Sequence, residues 1–233
     1  DMQSRLPDGF ELIAFTDREK VNDVLLSDDG TIDLEDTGRK IVIGTSSVRR
    51  RAFLNHLFPH VKTVEMRGNL QTRIRKMEDG VCDALMLAYA GVKRMGYEDR
   101  IVRTFGESEM IPPVGQGCIA IEAAATLDPE KKEGVRNCLN NARSEACLLA
   151  ERAFLRKLEG GCSIPAFGLA SLDSDQLTLD GGLASIDGST MIRNQLTGPR
   201  ETAEQLGEQL GNYVLENGGS ELLEEIRKIQ AAD

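Results

Sequence analysis

Between residues 40 and 94 the chain repeats one pattern three times. A short apolar run ends in glycine or a small residue, and a polar segment carrying arginine follows with helical spacing. Residues 40–43 form a β-branched strand ending in Gly44; Ser46 or Ser47 then caps a helix with Val48, Ala52, Phe53 and Leu57 on one side. Residues 61–66 read as a strand closed by Gly68-Asn69, followed by a helix over 70–78 that stops at Gly80. Residues 83–88 are a buried strand leading into a short helix with Lys93 and Arg94. Such alternation predicts an α/β unit with parallel strands.

These junctions predict anion chemistry. The N–H groups at a helix start lack partners within the helix, and the helix dipole adds to their positive potential. Thr45, Ser46 and Ser47 supply further donors, with Arg49 and Arg50 just behind them. Gly68-Asn69 repeats the arrangement, with Arg67 before it and Arg73 one turn along the helix. In open α/β sheets ligands sit beyond the carboxyl ends of the strands, so the junctions can line one crevice. The charge distribution fits this reading. The whole chain carries −10, yet residues 49–103 hold nine Arg and three Lys against six acidic residues, 12 − 6 = +6. An acidic chain with one arginine-rich segment argues against nucleic acid and suits bidentate capture of carboxylates or phosphates on a small polyanion.

The remaining pattern predicts further units. Residues 10–15 read as a strand, residues 17–40 as mostly polar with an apolar island at 24–26, and Pro112-Pro113 as a crossing before a strand at 117–123. From about residue 140 the character changes. A helix over 143–158 precedes strands at 177–182, 183–186 and 190–196, with a hairpin turn at Asp187-Gly188. Acidic helices at 201–216 and 220–230 then read as a solvated face, which favours a monomer. Gly160 and Gly161 stop the 143–158 helix and set Cys162 on a loop before Pro165. Five cysteines without a Cys-x-x-Cys pair fit a reducing compartment. His56 and His60, separated by Pro59, read as surface imidazoles and not as a metal site; no metal is expected. No apolar run is long enough to span a bilayer. The residues alone fit an anion-binding clamp without chemistry, or an enzyme built on a cysteine.

Five ordered motifs narrow the choice: residues 44–50 (GTSSVRR), 67–69 with Thr72 and Arg73, 88–94 (AYAGVKR), 114–117 (VGQG) and 158–165 (LEGGCSIP). Together they make the chain resemble the porphobilinogen deaminase (hydroxymethylbilane synthase) family along nearly its whole length. The resemblance implies two periplasmic-binding-protein-like α/β domains, the first incomplete, and a C-terminal α+β domain. Their expected extents are 1–18 with 115–138, then 19–114, then 139–233. It implies a dipyrromethane cofactor in thioether linkage to Cys162. Four porphobilinogen molecules condense on it with loss of ammonia, and hydroxymethylbilane is released by hydrolysis.

By the same resemblance Ser47, Arg49, Arg50, Arg67, Gly68, Arg73 and Arg94 hold the carboxylate side chains of cofactor and substrate, with Thr45 and Ser46 beside them. Gln116 lines the cleft or its hinge, hinges being expected near 16–22 and 111–117. Arg51 and Arg75 fall outside the motifs and read as surface charges. Counting back from Pro7-Asp8-Gly9, the family's aspartate, which handles pyrrole nitrogens and the cation formed when ammonia leaves, falls on Asp1. The family's preceding lysine and arginine are absent, so the resemblance leaves the site of this chain incomplete and its activity alone open. The implied partner is porphobilinogen, without nucleic acid or membrane. The implied location is cytoplasmic, with a plastid one left open by the missing amino terminus.

Overall fold

The computed structural model describes residues 4–159, 161 and 163–232. The first strand, β1 (Phe10–Phe15), is followed by a crossing segment and β2 (Asp23–Leu26). Next come β3 (Val42–Gly44), α1 (Val48–Leu57), β4 (Lys62–Val64), α2 (Leu70–Glu78), β5 (Ala84–Ala88), α3 (Tyr89–Arg94) and β6 (Ile101–Thr104). A second crossing leads to β7 (Ala120–Ala124) and α4 (Pro129–Leu139). The rest comprises α5 (Ala142–Lys157), β8 (Ala166–Asp173), β9 (Gln176–Ala184), β10 (Met191–Pro199), α6 (Ala203–Val214) and α7 (Ser220–Ala232).

The arginine-rich segment forms a five-stranded sheet in the order β4-β3-β5-β2-β6. β3 runs parallel to β4 and β5, as expected, but β2 is antiparallel to both its neighbours. The apolar island at 24–26 is therefore an interior strand, and the sheet is mixed. Both faces are covered, so its three central strands are almost wholly apolar without alternation. Leu25, Ile43, Ala84 and Met86 pack with Phe53 and Leu54 of α1, while Val24, Leu26, Leu85 and Leu87 pack with Ile74 and Met77 of α2 and Val92 of α3.

β1 and β7 pair antiparallel in a separate two-stranded sheet, so the five-stranded unit lies between two crossings of the chain. The carboxyl-terminal part is an antiparallel meander, order β10-β9-β8. It contains one strand absent from the sequence expectation, β8, and merges the expected strands at 177–182 and 183–186 into β9. The Asp187-Gly188 turn is present, with Gly188 at φ +75°. α6 is not a solvated face: Leu206, Leu210 and Val214 are buried in one core with Ala150 and Phe154 of α5. A methyl group at Gly207 would meet the Ala150 carbonyl oxygen at 2.1 Å, so glycine permits this close helix approach.

Two contacts seat the carboxyl-terminal part on α1. The Phe53 and Phe167 rings meet edge to face, 5.0 Å apart, and His56 Nδ1 lies 3.0 Å from the Gly188 carbonyl oxygen. His56 is thus an exposed side chain with a structural partner, while His60 Nε2 is buried without one among the described residues.

Candidate active site

The first junction is built as its sequence suggests. β3 ends at Gly44, where a methyl group would sit 2.8–3.0 Å from the side-chain ends of Leu85, Cys82 and Met66, so a larger residue would require these to shift. Thr45 is buried and its hydroxyl accepts from Ser47 N–H at 3.2 Å. Ser47, not Ser46, caps α1, accepting from Arg50 N–H at 3.4 Å.

The two arginines that follow turn inward, toward a carboxylate that the sequence reading missed. Arg49 Nη2 donates to Asp23 Oδ2 at 2.5 Å, and Arg50 Nε donates to Oδ1 at 2.9 Å. Asp23 is 0% exposed and Arg49 only 2%. Arg49 also donates from Nη1 to the Ile111 carbonyl at 2.8 Å. In this geometry the Arg49 guanidinium lies in the interior, against Asp23 and the Ile111 carbonyl. Arg50 is nearer the surface and donates to Met86 O and Gln116 Oε1, both at 3.3 Å. Burial opposes ionisation of Asp23, but the Arg49 and Arg50 charges overcome it and hold the carboxyl below its usual range. One carboxylate against two guanidiniums leaves a net positive charge at the start of α1.

Gln116 closes this cluster. Its amide donates to the Val21 carbonyl at 2.5 Å and to Asp23 Oδ1 at 3.2 Å. Gly115 and Gly117, flanking it, take φ of +81° and +84°; a methyl group at Gly117 would meet Glu19 O at 2.5 Å. The Gln116 carbonyl accepts from Arg18 Nε at 2.9 Å. Arg18 forms a buried ion pair with Glu151 of α5, 2.5 Å from Nη1 to Oε1. Glu151 also accepts from Gly115 N–H and Ala170 N–H, each at 2.8 Å. Both crossings and the carboxyl-terminal part thus meet on one carboxylate.

At the second junction Gly68 stands at φ +123° and Asn69 caps α2, accepting from Thr72 N–H at 2.8 Å. Arg73 Nε donates to the Gly68 carbonyl at 2.7 Å. Partial burial and the nearby Arg50 charge both depress the Arg73 pKa. The two junctions therefore place like charges within electrostatic range of each other. Arg67 is open to solvent: its side chain is 82% exposed and pairs with Glu65 at 2.6 Å. At the third junction Arg94 is exposed and makes no hydrogen bond or ion pair among the described residues, whereas Lys93 pairs with Glu19.

Asp1 and Cys162 lie outside the described residues. Ahead of Cys162, Glu159 takes the left-handed conformation after α5, at φ +50°; the expected stop at Gly160 lies outside the described residues. Arg227 pairs with Glu159 at 3.2 Å, and Gln230 donates to Ser163 O at 2.5 Å, so α7 holds both flanks of the loop.

Fold and site together define an α/β protein whose first two strand–helix junctions carry arginines fixed by hydrogen bonds, with Arg50 and Arg73 in electrostatic range of each other. The description "Porphobilinogen deaminase, dipyromethane cofactor binding domain" matches residues 1–132, and "Porphobilinogen deaminase, C-terminal domain" matches residues 145–216. The porphobilinogen deaminase of Desulfosudis oleivorans is 60% identical over 230 residues, 99% of this chain and 74% of that protein. That of Cytophaga hutchinsonii is 51% identical over 229 residues, covering 98% and 73%. Among solved structures, the substrate binding protein of an amino acid ABC transporter aligns over 55% of this chain and 53% of that one, at 14% identity and a TM-score of 0.30. The chain belongs to the porphobilinogen deaminase family. It is accordingly a transferase of tetrapyrrole biosynthesis that works with a dipyrromethane cofactor.

Proposed function

We propose that the cleft formed by the starts of α1 and α2 holds the carboxylates of the pyrrole chain, and that Cys162 is its covalent anchor. What supports the assignment is that Arg50 and Arg73, from separate junctions and each fixed by its own hydrogen bond, are close enough for the Arg50 charge to depress the Arg73 pKa. Like charges held together while partly desolvated are costly unless an anion joins them. The donors present fit such a group: guanidinium forks, the Ser47 hydroxyl and free helix-terminal N–H groups recognise carboxylates by charge-assisted hydrogen bonds. When bound, the dipyrromethane supplies the free α-carbon on which the chain of pyrroles is extended.

The protein's residues divide the remaining work. Arg50, Arg73 and Arg94 bind acetate and propionate groups, with Ser47, Ser46 and Thr45 shaping the first junction and Gly68 admitting close approach at the second. Arg67 and Lys76, which donates to the Arg67 carbonyl at 3.1 Å, extend the positive rim. Arg49 and Asp23 hold Arg50 in place. Asp1 accepts pyrrole N–H bonds and stabilises cationic charge developing as ammonia leaves. Gln116 ties the second crossing to the arginine cluster, so a change in the angle between units is felt at Arg50.

In this reading the chain has three domains, 1–18 with 115–138, 19–114 and 139–233. It works on porphobilinogen as a monomer, in the cytoplasm, without nucleic acid or membrane. No helix among the described residues is long and apolar enough to cross a membrane. Titration with porphobilinogen tests the function: ammonia release with hydroxymethylbilane formation supports it, and saturable binding without turnover by a cofactor-loaded chain favours the anion-binding clamp.

A further inference from the structure

Apart from the arginine cleft, a crevice of about 400 Å³ opens where α1, the β9–β10 turn and α7 meet. Ser47, Arg50, Arg73 and Gln116 take no part in its lining. One wall is polar and comes from the five-stranded unit, with Arg51, Asn55 and Thr63; the other comes from α7, with Leu222, Glu225 and Ile226. Its volume lies at the small end of ligand pockets, roughly 300–1,000 Å³.

The polar groups on these walls are unmatched. The Arg51 side chain makes no hydrogen bond or ion pair among the described residues, and its Nε is buried without a partner among them. A buried donor left alone costs stability unless something outside the chain supplies an acceptor. Arg51 is therefore not the surface charge that its position outside the motifs suggested. The Asn55 and Thr63 side chains make no hydrogen bond either, and Glu225 has neither hydrogen bond nor ion pair among the described residues. Arg51 and Glu225 share the crevice yet are not within ion-pair distance of each other. Asp187, the other acid in the lining, is already engaged by the Ser185 hydroxyl at 2.5 Å and by the Ser189 hydroxyl at 2.9 Å.

We propose that this crevice binds a small zwitterion. Its carboxylate pairs with Arg51, its protonated amine pairs with Glu225, and an aliphatic spacer lies along Leu222 and the exposed Ile229. A dianion is disfavoured by Glu225 and Asp187, and a simple cation by Arg51. The occupant bridges α1 and α7, joining the arginine-bearing helix to the helix that holds the flanks of the Cys162 loop. The proposal does not depend on the reading of the arginine cleft.

Nitrogen-15-labelled full chain is titrated with ω-amino acids of four, six and eight carbons, and with hexanoate and hexylamine. The expected result is saturable shifts of the Thr63, Ser189 and Ile226 amide signals, with the best amino acid binding about 10-fold or more tighter than either singly charged probe. Glu225→Gln, a change at an exposed site, removes the advantage over hexanoate, and Arg51→Gln removes the advantage over hexylamine. Equal binding of all probes, or no shift at these amides with any amino acid, overturns the proposal and leaves the crevice to water.

Discussion

The Asp23 carboxylate and the Arg49 guanidinium meet at 2.5 Å with both side chains withdrawn from solvent, and the neighbouring Arg50 uses the same carboxylate. Removing the shared charge strands two buried cations. Asp23→Asn is expected to lower unfolding free energy by about 3–5 kcal/mol, the usual cost of breaking a buried ion pair from one side. Denaturant unfolding at neutral pH measures it. A loss below about 1 kcal/mol, the scale of an exposed pair, would contradict the arrangement.

The same pair gives stability a pH dependence. The folded-state pKa of Asp23 is depressed, so its contribution is fully present above the unfolded-state value and is lost as pH falls through the folded one. The loss is expected below about pH 3.9, the ordinary aspartate value. Unfolding curves of parent and Asp23→Asn from pH 6 down to about pH 2 should converge on acidification. Parallel curves would show that Asp23 does not titrate with folding.

Arg73 is the cleaner probe of ligand binding, because its hydrogen bond to Gly68 is local and its change leaves Asp23 untouched. Arg73→Gln is expected to reduce kcat/KM for porphobilinogen by about 10- to 100-fold, the value of one charge-assisted hydrogen bond. Arg75→Gln, an exposed change on the same helix, should leave it within about two-fold, as surface substitutions ordinarily do. Equal effects of the two would remove Arg73 from the cleft.

Glu151 is buried and accepts from Arg18, Gly115 and Ala170. Glu151→Gln keeps the shape but leaves the Arg18 charge without its partner, and is expected to cost about 3 kcal/mol or more. Since Glu151 joins both crossings to the carboxyl-terminal part, thermal unfolding should broaden or split. A single transition at the parent temperature would show the junction to be dispensable.

The unmodified thiols are expected to differ in reactivity. Burial, with a smaller contribution from the Glu151 charge, pushes Cys147 up to about 11, and Cys82 is also buried and raised. Cys138 is exposed. Alkylation of native protein at about pH 8, near the ordinary thiol pKa, should label Cys138 well before Cys147 and Cys82, read by peptide mass spectrometry. Comparable rates would contradict the packing around α5.

Local signals in the sequence carried much of the fold. Asn69, the apolar spacing after it and Gly80 locate α2 at its observed ends, and Ser47 announces α1. β2 is different: four residues inside a polar stretch give no sign of strand direction, which pairing with β5 and β6 decides. Asp23 was missed for the same reason, since an acid at the edge of an apolar island looks like a boundary until two arginines from elsewhere meet it. α4 did carry a usable signal, Asp128 as cap with Pro129 in the first turn. Of the arginines, sequence gave the clustering but not the division of labour, which depends on which guanidinium finds a buried acceptor.

The central claim is that Cys162 anchors the pyrrole chain in a cleft of arginines. Peptide-mapped mass spectrometry of the protein purified from cells, beside Cys162→Ser, tests it most directly. The account predicts the mass of two condensed pyrroles on the Cys162 peptide of the parent and no adduct in the variant. An unmodified Cys162 in protein that turns over porphobilinogen, or the same adduct on another residue, would contradict it.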